Sequence, residues 1–143
     1  MELSEYNLQT LRKDGEFILY RGRHRRQDEG IPPSILVRTP VLERPALGSL
    51  RRMEHELSLK AELNPEWAVR PLALREHQGR AMLLLEDPGG EPLDLLLAGP
   101  MELGQALRLA VGLCAALARL HGRGLIHKEV KPANVLIDPS TGQ

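Results

Sequence analysis

A single apolar stripe dominates the second half of the sequence. Leu103, Leu107, Ala110, Cys114, Leu117 and His121 recur at helical spacing over residues 102–121, and glycines at 122 and 124 supply a stop. The segment that follows, GLIHKEVKPANVLID, reads as a polar loop running into a short strand from Val135 to Ile137. No repeat and no low-complexity tract interrupts the order of long helix, loop and strand.

Upstream the periodicity changes. Leu8 to Arg12 and Phe17 to Tyr20 suit strands, and Asp14-Gly15 between them signals a hairpin. RGRHRRQDEGIPP at 21–33 is charged and broken by Gly30, Pro32 and Pro33, which predicts a surface loop. Ile35, Leu36 and Val37 then form a third strand stopped by Pro40. Leu50, Met53, Leu57 and Ala61 define an amphipathic helix between Pro45 and Pro65. Ala68–Arg75 and Arg80–Glu86 are two further strands, joined by EHQG with Gly79 at the turn. EDPGGEPL at 86–93 reads as a linker and lobe boundary, followed by a short LDLLLAG helix.

Composition removes several function classes. Nineteen Lys and Arg balance nineteen Asp and Glu, so no whole-chain field draws the protein to nucleic acid or an anionic membrane. One Trp, one Phe and two Tyr leave few platforms for stacking bases. Cys114 is the only cysteine, so it can form no internal disulfide, and the opening MELSEYNLQT has neither a basic leader nor an apolar run. A reducing, cytoplasmic location is expected. Apolar runs such as AMLLL at 81–85 and LDLLL at 93–97 are far below the roughly 20 residues that cross a bilayer, which predicts a soluble chain with no membrane partner.

HKEVKPAN at 127–134 resembles the catalytic loop of protein kinases, His-Arg-Asp followed by Asn, with the Lys-Pro step of serine/threonine kinases. The resemblance implies an α+β fold: a five-stranded antiparallel small lobe with one helix over residues 1–87, then a hinge and partial large lobe over 88–143. It implies that Glu129 orients the attacking hydroxyl, Lys131 neutralises charge on the transferred phosphoryl group and Asn134 holds a magnesium ion. Arg38, at the end of ILVR, takes the position of the strand lysine in Val-Ala-Ile-Lys. Glu56 on the helix is its expected ion-pair partner, with Glu54 as the other possibility. Gly15 is what remains of the glycine-rich loop, and Leu85-Glu86-Asp87 begins the hinge, where Glu86 would meet adenine through backbone groups. ATP and Mg2+ are the implied cofactors, and a protein substrate or a regulatory protein the implied partner.

The sequence departs from that pattern in four places. Arg12, Asp14 and Phe17 fall at or near glycine positions, and Asp14 would face the phosphates with like charge. Arg38 brings a planar fork where the family has a compact ammonium. Glu129 in place of aspartate displaces the carboxylate by ~1.5 Å when extended, and errors of roughly 1 Å can cost on the order of a hundredfold in rate. No Asp-Phe-Gly follows Asn134 before Gln143. Impaired phosphoryl transfer is therefore expected, together with a fragment of a larger protein or a partner surface that covers the long helix. The degenerate loops are also similar to kinase-like domains at the start of large bacterial signalling proteins, with further signalling domains downstream. The alternative is a pseudokinase module serving regulation or protein contact.

Other residues have plainer readings. Cys114 is expected as inert packing on the apolar stripe, RGRHRR at 21–26 as a solvated face and Trp67 as a cap on the small lobe's core. His24, His55, His77 and His121 lack metal-ligand spacing. DPGG at 87–90 lacks the Gly-Lys-Ser/Thr ending of a phosphate-binding loop. Lys131-Pro132 argues against a small-molecule kinase.

Overall fold

A computed structural model describes residues 2–97, 99–125 and 134–138. The chain divides into two compact units, Met1–Pro65 with Val69–Asp87, and Glu66–Ala68 with Pro88–Gln143.

The first unit is an antiparallel sheet of five strands: β1 (Tyr6–Lys13), β2 (Phe17–His24), β3 (Ser34–Pro40), β4 (Pro71–His77) and β5 (Arg80–Glu86), with spatial order β1-β2-β3-β5-β4. Helix α1 (Leu47–Ser58) connects β3 to β4 and packs against β4 and β5. The two most apolar runs become the inner strands. Ile35 and Val37 join Leu3, Tyr6, Met82 and Leu84 in one core, while the alternate residues Leu36, Leu83 and Leu85 are equally buried on the opposite face. Strands covered on both faces read as continuous apolar runs, and ILV and MLLL do so. The β4–β5 hairpin closes through Gln78 and Gly79 at φ 51° and 76°, two left-handed residues suited to the twist of a two-residue turn.

Two sequence expectations need correction in this unit. Strand β2 extends to His24, so the first part of RGRHRR is sheet, and Arg21 is buried where a solvated loop was predicted. Pairing of Arg21 with Leu36 and Gly22 with Ile35 carries the strand four residues past Tyr20. Helix α1 ends at Ser58, so Ala61 lies beyond it and is exposed, because the chain turns through Leu59 and Lys60. Trp67 is half-buried and falls in the second unit.

The second unit contains β6 (Glu91–Pro92), α2 (Leu93–Leu96), α3 (Leu103–Gly122) and β7 (Leu136–Ile137). The expected linker thus includes a strand: Glu91 pairs with Ile137 and Pro92 with Leu136, antiparallel, and Leu93 N donates to Val135 O at 2.8 Å. Gly90 makes this possible. Its φ is 75°, and a Cβ there would lie 2.6 Å from the carbonyl oxygen of Ile137, a separation that only glycine avoids.

Helix α3 occupies the expected residues with a different face inward. Leu109 is buried, whereas Leu103, Leu107 and Val111 are 57–73% exposed and Cys114 is exposed, contrary to its reading as core. Apolar residues surround this helix almost completely, so its pattern does not fix its rotation. By length and composition α3 is also long and apolar enough to cross a membrane, and only 6% of it is buried. The expectation of no membrane partner rested on shorter unbroken runs. Arg108 and Arg119 are the only formal charges in α3 apart from any carried by His121.

Candidate nucleotide site on the five-stranded sheet

Arg38 lies on β3 with its side chain on the face of Leu36, opposite the Ile35–Val37 core, because alternation along a strand allows no other choice. Its Nη1 donates to Glu56 Oε2 of α1 at 2.5 Å. Glu54, the other possibility from sequence, is exposed and takes no part in this pair. The guanidinium also stands over the ring of Phe17, 5.8 Å from its centroid, within cation–π range. Both carboxylate and guanidinium are about 30% accessible, so Arg38 is a held cation that an anion can still reach.

The β1–β2 turn is built around Asp14. Its Oδ1 accepts from the backbone N–H of Glu16 at 2.8 Å and of Phe17 at 2.7 Å, while Asp14 N donates to Phe17 O at 3.0 Å. Arg12 Nη1 donates to Asp14 Oδ2 at 3.1 Å. The hairpin expected from Asp14-Gly15 is present, yet the closing interactions come from the aspartate side chain. Gly15 does not use left-handed φ, and a Cβ there would meet nothing within 4 Å. Glu16 is fastened sideways by Ser49 Oγ, 2.9 Å away, and by Arg52.

At the far end of β5, Glu86 Oε1 accepts from Arg70 Nε at 3.2 Å and Nη2 at 2.7 Å, and the N–H of Glu86 is donated to Arg70 O at 2.9 Å. That amide is therefore already engaged by the residue preceding β4. Next to it, Asp87 receives Arg21 Nε at 2.8 Å and Nη2 at 3.1 Å in a two-pronged pair, with the side chains 2% and 9% exposed. No local pattern announces this pair, because 66 residues separate its members. Asp14, by contrast, could have been found: aspartate bonding amides two and three residues on is a turn signature of its own.

Asn134 is exposed and lies one residue before Val135, which the β6–β7 pairing fixes in the second unit. Glu129 and Lys131 lie outside the described residues, as does the rest of 126–133. Among the described residues no group of three or more His, Cys, Asp or Glu side chains could hold a metal. Asn134 is the expected magnesium ligand from the sequence, and it falls among the described residues.

The chain superposes on a solved kinase domain, that of PknI from Mycobacterium tuberculosis, with a TM-score of 0.67 and 19% identity, over 99% of this chain and 58% of that one. Serine/threonine-protein kinase pkn2 of Myxococcus xanthus is 37% identical over 94 residues, 65% of this chain and 11% of the relative. The chain has a protein-kinase-like fold. Serine/threonine-protein kinase PknA of Mycobacterium tuberculosis is 44% identical to the kinase-like domain over 69 residues, 46% of the chain. CBL-interacting protein kinase 16 of rice matches over 95% of the chain at 27% identity. The kinase-like domain spans 11%, 16% and 30% of the lengths of these three relatives. No family model matches it.

Proposed function

We propose that this domain binds Mg·ATP against the Arg38 face of the sheet and belongs to a protein that transfers phosphate to serine or threonine. The observation that carries this reading is the ion pair from Arg38 on β3 to Glu56 on α1. It supplies a positioned cation where a kinase holds ATP phosphates. In this reading Glu129 orients the acceptor hydroxyl, Lys131 neutralises developing charge and Asn134 gives one oxygen to magnesium. Magnesium commonly takes only one or two protein carboxylates and otherwise relies on nucleotide phosphates and water. Protein substrates, downstream signalling domains and a cytoplasmic location go with this proposal; nucleic acid and membrane do not.

Saturating Mg·ATP at about a hundred times its Kd should stabilise the folded chain by ~2.7 kcal/mol, several degrees in Tm. Turnover by the full-length gene product should be abolished by Asn134→Ala. No thermal shift with millimolar Mg·ATP would sink the nucleotide reading.

The second reading is a pseudokinase module that contacts a regulatory protein. The placement of Phe17 under Arg38 favours it, since the ring takes up one face of the cation that phosphate would approach. Nucleotide-induced stabilisation without transfer, retained in Asn134→Ala, would select this reading.

A further inference from the structure

We propose that Asp14 is a built-in anion that occupies the phosphate-binding amides of the β1–β2 turn, so that this residue sets the affinity for triphosphate. The inference rests on the nucleotide reading above and adds to it the group that opposes phosphate.

Two consecutive backbone N–H groups, those of Glu16 and Phe17, converge on a single oxygen of Asp14 at 2.8 and 2.7 Å. Successive amides directed at one acceptor make an anion site, and distances this short are those of charge-assisted bonds. Arg12 completes the set at 3.1 Å on the second oxygen. The donors that a phosphate oxygen would use are thus engaged by a carboxylate from the same turn. Steric closure does not explain this arrangement. Space above Gly15 is open, with nothing within 4 Å of the point where a Cβ would stand. Asp14 is itself one-third exposed, so the carboxylate can swing outward and leave the amides to an incoming phosphate. The turn therefore has two exclusive states, carboxylate in or phosphate in.

The test compares ATP and adenosine binding to the intact chain and to Asp14→Gly and Asp14→Asn, with Asp14→Ala standing in where glycine loosens the hairpin. Adenosine has no phosphate and reports the base site alone. Releasing charge-assisted bonds should raise ATP affinity by at least about tenfold in Asp14→Gly. Adenosine affinity should stay constant, and Asp14→Asn, which keeps the oxygen but not the charge, should fall between. Amide hydrogen exchange at Glu16 and Phe17 should be slow in the original chain and fast in Asp14→Gly. Unchanged ATP affinity with adenosine still bound overturns the inference and leaves the nucleotide reading standing. Equal gains in Asp14→Gly and Asp14→Asn also overturn it, because repulsion alone would then be at work. If no variant binds adenosine, the nucleotide reading fails, and inorganic tripolyphosphate decides: binding only to Asp14→Gly supports an occupied turn, and equal binding to all variants refutes it.

Discussion

Arg21 and Asp87 form the most enclosed ion pair among the described residues, and its enclosure determines what each substitution should do. Removing one member leaves a charge buried without its counterpart, which typically costs 3–5 kcal/mol. Arg21→Met alone should therefore lower stability by roughly that amount in urea unfolding, whereas Arg21→Met with Asp87→Leu should recover most of the loss. Equal destabilisation by the single and double variants would show that the pair matters little. The sequence placed Arg21 in a solvated run because its neighbours Arg23, Arg25 and Arg26 are charged. What decides its fate is strand alternation together with a partner 66 residues away, and neither is visible in a local window. Arg38 and Glu56 were legible for the opposite reason: a strand end and a helix face, each with its own periodicity, leave few ways to meet.

Among elements, the inner strands β3 and β5 were the most readable and the ends of β2 and α1 the least. An unbroken apolar run buried on both faces has one stable position in a sheet. Strand ends depend on how long a neighbour offers hydrogen bonds, and β2 continues to His24 because Ser34 to Ile35 pair with it. Strand β7 was expected from Val135 to Ile137, whereas its partner β6 escaped notice because two residues carry no periodicity. The pair's dependence on Gly90 is testable. Gly90→Ala forces a methyl onto the Ile137 carbonyl and a left-handed φ on an L-residue, and should destabilise the second unit by at least ~1–3 kcal/mol. Hydrogen exchange at Leu93 N should accelerate in that variant; unchanged exchange would contradict the geometry.

At the scale of the molecule, stability should decline in alkali. Burial, and then the nearby Glu5 carboxylate, raises the pKa of Tyr6 above its ordinary 10.0, and its hydroxyl donates to Pro32 O at 2.9 Å. A raised phenol holds its proton in the folded state after the unfolded chain has lost it. The stabilisation is therefore complete below pH 10 and lost as pH rises through the higher folded value. Tyr6→Phe should be less stable at neutral pH by about 1 kcal/mol and should show a shallower alkaline decline. The same slope in both chains would remove Tyr6 as its cause. Fold class was legible at this scale because order of elements is a coarse property that survives errors at every boundary. Rotation of α3 was not, since a helix apolar on nearly all sides gives the same periodicity whichever side turns inward.

The position of Asn134 follows from backbone register, through Val135 O and the two pairs beyond it. Point changes along Glu91–Leu93 leave that register alone. Insertion or deletion of one residue there would slide the ladder by ~3.3 Å and reverse which side each residue presents. A change in length among the few residues after the double glycine would therefore move Asn134 relative to β6.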